Sequence, residues 1–480
     1  MEKKTTSKNK GVIGSLLLIY LIVFIFFYPV LSVYFSHDDF FHFKASLTDG
    51  SFGAFINLFG FPNFNDRGYG FYRPIFREGL YNLYYSLFGL NHTPFRIFSF
   101  ALHFINIYLV YTLTQKVFEK REISFFTSLF FGVAAANVGS LYYLAGGIQT
   151  LGATMFIFLT LILFLNGKIT LSIITFMLSL GSHELSSTAP FLLAGLLFLK
   201  TPFKKFSLNA FKTLWPFFLI LAVYLYLDVF KIGFLQTEEQ YGLSFSIKKI
   251  LNSFAWYSLW SFGMPEMFLD FIGPGFSLNP NLLKFWSGYV VPILFLSLTL
   301  ITTVLIGILV SVKIIATDKK FLFFLLCFPF ILSPILILPL HKSTYYLTPA
   351  LPAFFVVIAV ILMRAYSILN KRIVLVGRVF MFIFVTSFLS LSYVSVQLAN
   401  VTYPAANRGR VAQKLISDMK TRYPELPKGA TVYFKNDSSY PFISKEWGGS
   451  SKQAALALNN GDAIELLYKD PTIRVFYEYI

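Results

Sequence analysis

Residues 11–42 read GVIGSLLLIYLIVFIFFYPVLSVYFSHDDFFH, and this stretch decides the fold. Gly11–Phe35 carries no charge and is long enough to cross a bilayer, which needs about 20 apolar residues. Lys3, Lys4, Lys8 and Lys10 precede it. It exceeds a signal-peptide core and has no small-x-small cleavage site, so the expectation is a retained signal anchor. Immediately after it stand His37, Asp38, Asp39 and His42, titratable groups at the mouth of an apolar span.

Working outward, further apolar runs fall near 93–115, 123–139, 147–166, 169–183, 186–199, 214–231, 288–312, 321–340, 347–364 and 373–396. The expectation is an all-α polytopic membrane protein of about 11 transmembrane helices. Composition agrees: 13% charged residues, 56% hydrophobic, and mean hydropathy +0.65 over 480 residues. A soluble domain is nearer one quarter charged. The net charge of +17 brings neither a basic helix nor zinc-finger spacing, so nucleic acid is not an expected partner. The charge sets orientation instead. Lys116, Lys120, Arg121, Lys200, Lys204, Lys205, Lys212, Lys313, Lys319, Lys320, Arg364, Lys371 and Arg372 fall in alternate links, which places those links and the N-terminus in the cytoplasm. The stretch 250–272 reads as an interfacial or re-entrant pair. An odd number of spans then puts 397–480 outside a plasma membrane, as a small extracytoplasmic α/β segment with strand-like runs at Ala430–Phe434 and Ile473–Tyr479. The expected divisions are 1–35, 36–92, 93–396 and 397–480. Cys327 is the single cysteine, so no intramolecular disulfide forms.

The first outer loop carries the densest chemistry. Asp38 and Asp39 admit two readings: one of them is a general base aimed at a cavity, or both cap a short interfacial helix beginning near Phe40. Arg73, in Tyr72-Arg73-Pro74-Ile75, either holds a phosphate with its planar fork or pairs with Asp66 or Glu78. An amphipathic stretch, Phe76–Leu90, suits a helix lying in the interface.

The order of anchor, acidic pair, aromatic loop, Tyr-Arg-Pro-Ile, interfacial helix ending Leu87-Phe88-Gly89, Phe95-Arg96-Ile97 and a helix with His103 and Asn106 resembles a known family. So do Tyr142-Tyr143-Leu144-Ala145-Gly146-Gly147 and Gly181-Ser182-His183-Glu184 before Pro190. The chain resembles the polyprenyl-phosphate-dependent glycosyltransferases of the GT-C fold, nearest the protein O-mannosyltransferases and their bacterial relatives, over about residues 30–200. The resemblance implies a GT-C-like bundle, a polyprenyl-phosphate-linked sugar as donor, and an acceptor hydroxyl on a protein, lipid or polysaccharide. It implies Asp38 or Asp39 as the base. Two departures stand out. His183 occupies a position where Lys is common, and His341-Lys342-Ser343-Thr344-Tyr345-Tyr346-Leu347-Thr348-Pro349 lacks the Arg that often precedes a Tyr-x-Tyr-x-Pro segment.

Arg73, His183, Lys342 and His341 are therefore the candidates for the donor phosphate, with Glu184, His37 and Tyr345 in support. Snorkelling or capping is the competing reading for His183, Glu184, His341 and Lys342. His103 and Asn106 are read as interhelical bonds, Glu238 and Glu239 as a solvated loop face, and Glu266 and Asp270, beside Trp256–Trp260, as the border of an acceptor groove. No cofactor is required. A divalent cation, if used, would bridge Asp38 and a donor phosphate. The competing function is a lipid-linked glycan transporter or flippase with the acidic pair as coupling site. Transporters favour repeated halves and helices broken at mid-membrane, whereas here the unusual residues gather in one outer loop.

Overall fold

A computed structural model describes residues 2–62, 70–200, 208–233, 241–273, 275, 277–439 and 448–478. Asp66 and Glu238–Glu239 lie outside the described residues, as does most of the 200–213 link. The protein is a helical bundle. Among the described residues eight helices are long and apolar enough to cross a membrane: Gly11–Ser32, His92–Phe118, Leu144–Leu165, Lys212–Ile232, Pro280–Ile315, Lys319–Leu336, Leu351–Arg372 and Val374–Thr402. Their starts follow from side chains that satisfy orphan backbone N–H groups. Asn91, Asn279 and Asp318 accept from Thr93 N at 3.1 Å, Asn281 N at 3.0 Å and Lys320 N at 3.0 Å.

The three remaining expected spans are shorter. They are helices Arg121–Val133 with 13 residues, Ile169–Leu180 with 12 and Ala189–Lys200 with 12. At 1.5 Å per residue each is about 20 Å or less, short of the hydrocarbon thickness. Hydropathy alone does not separate such elements from lipid-facing spans, because both are apolar. Arg121–Val133 packs against His92–Phe118 and Leu351–Arg372 and buries most of its side chains, including Ser124, Thr127 and Ser128. The stretch 250–272 forms helix Ile247–Ser261 and a turn Phe268–Phe271, and neither belongs to the spanning set.

The two ends of the bundle hold different parts of the chain. At one end Lys116 Nζ donates to Asn166 Oδ1 at 2.7 Å and Lys320 Nζ donates to Val117 O at 2.6 Å, while Arg364 lies 3.4 Å from Asp318. These are residues of the basic links. The other end holds Asp38 and the C-terminal unit. That unit consists of helix Pro404–Arg422, strands Thr431–Phe434 and Arg474–Tyr477 paired in parallel, and helices Ser450–Leu458 and Asp462–Tyr468. It docks on the loop after the first helix. His37 N donates to Ala457 O at 3.0 Å, Lys44 Nζ sits 2.8 Å from both Asp462 and Glu465, and the Tyr85 hydroxyl donates to Leu466 O at 2.8 Å.

Arg96 ties this end together. It is fully buried, and its guanidinium donates to the carbonyls of Val33 at 2.7 Å, Leu141 at 2.7 Å, Tyr142 at 3.1 Å and Tyr34 at 3.2 Å. Those carbonyls close the first anchor and the 137–142 turn, so one side chain sets the spacing between them. Arg96→Leu is expected to cost about 3 kcal/mol by orphaning these groups. Its thermal unfolding midpoint in detergent should fall by several degrees, and an unchanged midpoint would contradict this role.

Candidate active site

His37 adopts a left-handed backbone, φ +49°, and the helix Asp38–Ala45 begins directly after it. Successive helical residues point about 100° apart, so the two aspartates diverge. Asp39 turns inward and is 1% exposed. It accepts from Ser36 N at 3.0 Å and from the Tyr81 hydroxyl at 2.8 Å, closing the turn before the helix. Burial pushes its carboxyl up to about 6, against the opposing field of Arg96 and these two bonds. The folded chain therefore keeps a proton that the unfolded chain has released. The contribution of Asp39 to stability is expected to fall as pH rises from about 4 to about 6 and to level off above that, against the opposite contribution of His42. The difference in unfolding midpoint between wild type and Asp39→Asn should therefore change across that range and be constant above it.

Asp38 faces the other way, with 41% of its side chain exposed. Its Oδ2 accepts a short hydrogen bond from the Tyr143 hydroxyl, and Oδ1 lies 3.1 Å from His37 Nδ1. Burial alone would raise its carboxyl, but His37 and the Tyr143 hydrogen bond outweigh it and hold Asp38 below the usual carboxylate range. Burial, then Asp38, push the Tyr143 phenol well up, so it stays a donor. Small residues bring Tyr143 here. A Cβ on Gly139 would lie 2.5 Å from Tyr345 N, and one on Gly147 would lie 2.1 Å from Ser140 O, so this turn packs directly on the 344–348 segment.

Asp38, His37, Tyr143, His341 and Tyr345 form a wall shared by two chambers. The larger, about 430 Å³, is lined by Arg73, Arg77, Gln149, His42, Tyr241 and Asn459. Arg73 does not pair with Glu78. It forks onto Glu184, Nε at 2.9 Å and Nη2 at 2.6 Å, while Nη1 donates to Gln149 at 2.8 Å. Arg77 takes Glu78 at 2.6 Å and the carbonyls of Gly70 at 2.8 Å and Phe71 at 2.7 Å. Burial, then the charges of Arg77 and Arg73, push the His42 imidazole down to about 3, so it is neutral.

The smaller chamber, about 260 Å³, adds Arg408, Glu266, Ser343 and Tyr403. Glu266 accepts from Thr344 N at 2.8 Å and Ser343 Oγ at 3.1 Å, clamping the segment that carries His341 and Tyr345. Through Glu266, Tyr403 and Pro404 this chamber adjoins a groove of about 530 Å³ walled by Met264, Met267, Phe271 and Trp286, with Lys342 and Asp270 beside it. Glu266 and Asp270, expected at the border of an acceptor groove, line a groove that is largely apolar.

No protein-family model matches the chain, and no curated protein matches it.

The expected site residues divide into two groups. Asp38, His37, Arg73, His341 and Tyr345 meet around the chambers, where His341 Nε2 lies 3.2 Å from the Tyr345 hydroxyl. Glu184 stands behind Arg73 as its counter-ion. Asp39, His183 and Lys342 do not join them. His183 is fully buried, its Nδ1 accepts from Leu185 N at 3.2 Å, and its ring packs edge-on against Tyr346. Lys342 Nζ donates to Pro339 O and faces the apolar groove. Among the described residues no three His, Cys, Asp or Glu side chains converge as a metal cage. Asp38 is the chamber carboxylate at which a substrate-bridging divalent ion would stand. Arg77, Gln149, Asn459 and Arg408 carried no signal in the sequence: single polar residues in aromatic or polar context, brought in by contacts distant along the chain.

Proposed function

We propose that the chain is an inverting membrane glycosyltransferase that moves a sugar from a polyprenyl-phosphate donor to an acceptor hydroxyl. The observation that carries this reading is Asp38, a carboxylate shared by the walls of two chambers, the smaller of which also holds Glu266 and Arg408 and adjoins an apolar groove at the end of the bundle. A lipid-linked sugar has this shape: an apolar tail for the groove, a phosphate for the smaller chamber, and a sugar at the shared wall. The larger chamber is left for the acceptor, on a protein, lipid or polysaccharide.

The acceptor hydroxyl oxygen attacks the anomeric carbon as the bond from that carbon to the phosphate oxygen breaks. The electron pair leaves with the polyprenyl phosphate, and the hydroxyl proton passes to Asp38. A carboxylate held below the usual range is a weak base, so it takes the proton as the new bond forms rather than before. Tyr143 and His37 fix its orientation, and positioning of two substrates across one wall supplies much of the rate. Orientation follows from the basic links at the opposite end: with that end and the N-terminus cytoplasmic, the chambers face outward across the plasma membrane.

The test incubates purified full-length protein in detergent with a panel of polyprenyl-phosphate-linked sugars and measures released polyprenyl phosphate. Release with at least one donor, giving a product of inverted anomeric configuration, is the expected result. No release with any donor, together with movement of lipid-linked glycan across proteoliposome membranes, would replace this reading by the transporter.

A further inference from the structure

The cations around the two chambers are unequal. Arg73 and Arg77 each hold a carboxylate, Glu184 and Glu78, at 2.6 Å. His42 is neutral, and Lys342 faces the groove and donates to a carbonyl. Arg408 differs from all of them. It projects from the first turns of helix Pro404–Arg422 into the smaller chamber, and among the described residues no carboxylate forms an ion pair with it. Burial lowers the stability of its charged form, and the charge of Asp38, across the chamber, only partly restores it. A guanidinium desolvated without a partner is costly unless an anion arrives, and its planar fork matches phosphate oxygens.

We propose that Arg408 anchors the phosphate of the lipid-linked substrate in the smaller chamber. This rests on the glycosyltransferase reading for the identity of the ligand. The C-terminal unit therefore completes the donor site. Three features converge on the assignment. The chamber lies between the apolar groove and Asp38, where a phosphate must sit if its tail is in the groove and its sugar at the carboxylate. Tyr403 adds a hydroxyl to the same wall, while the Ser343 hydroxyl is donated to Glu266, a carboxylate that also lines this chamber. The charge on Arg408 also offsets the negative charge that grows on the leaving phosphate as the sugar departs.

The test measures binding of farnesyl phosphate, farnesol and inorganic phosphate to the full chain in detergent, for wild type, Arg408→Gln and Arg408→Lys. Wild type is expected to bind farnesyl phosphate about 10–100-fold tighter than farnesol. Arg408→Gln should erase that preference, Arg408→Lys should keep part of it, and farnesol should bind all three alike, which also shows that the variants are folded. Unchanged farnesyl phosphate binding by Arg408→Gln, or no preference over farnesol in wild type, would overturn the proposal. Inorganic phosphate binding as tightly as farnesyl phosphate would overturn the lipid half of it. Arg408-dependent binding without transfer from any donor would leave the anchor standing and remove the glycosyltransferase reading.

Discussion

Asp38→Asn is expected to lower the turnover of sugar transfer by about 10²–10⁴-fold, the range for loss of a positioned base. The side chain keeps its shape, so the chambers survive, and Tyr143 still has an oxygen to donate to. What is lost is the place for the acceptor proton. KM for the donor should therefore change little while kcat collapses, because the carboxylate acts on the acceptor in the transition state. Tyr143→Phe should give a smaller loss, since it frees Asp38 to rotate but leaves it ionised. Initial rates at saturating donor and acceptor decide this. A comparable rise in KM with kcat preserved would make Asp38 a binding group. Because Asp38 is held below the usual carboxylate range, the transfer rate should also stay level as pH falls from 7 to about 5.

Glu184→Gln is expected to be strongly destabilising, at about 3–5 kcal/mol. Glu184 receives both arms of the Arg73 fork, and the two side chains are only 21% and 11% exposed. Removing the carboxylate leaves a guanidinium that water cannot fully reach, beside the neutral amide of Gln149 and the ring of Phe71, 4.8 Å away. Replacing both partners by apolar residues, Arg73→Met with Glu184→Leu, should recover much of the loss, because neither charge is then stranded. Unfolding midpoints of the two single variants and the double variant in detergent form the cycle. Additive losses would show that the pair does not act as a unit.

Some of this was legible in the sequence and some was not, for identifiable reasons. The long spans were readable because lipid and protein interior both demand apolar surface over about 20 residues. The same demand hid the difference between Arg121–Val133, wrapped by other helices, and a span facing lipid. The strand-like runs 430–434 and 473–479 anticipated strands at Thr431–Phe434 and Arg474–Tyr477, along which exposed and half-buried residues alternate. Asp38 and Asp39 are neighbours with one composition and opposite environments. Only the left-handed turn at His37 decides which of them faces the chambers, and a histidine there announces no such geometry. The partner of Arg73 lies 111 residues away, so local spacing pointed to Glu78, which the adjacent Arg77 had taken. Arg408 was read as part of a polar tail, and only the docking of Ala457, Asp462 and Glu465 on the first outer loop brings that tail over the site.

The central claim is that Asp38, and not its neighbour, performs the chemistry where the two chambers meet. Release of polyprenyl phosphate from a lipid-linked sugar, followed in parallel for wild type, Asp38→Asn and Asp39→Asn at matched folded concentration, tests it most directly. The account predicts near-complete loss in Asp38→Asn and release within about tenfold of wild type in Asp39→Asn. Wild-type release from Asp38→Asn, or loss confined to Asp39→Asn, would contradict it.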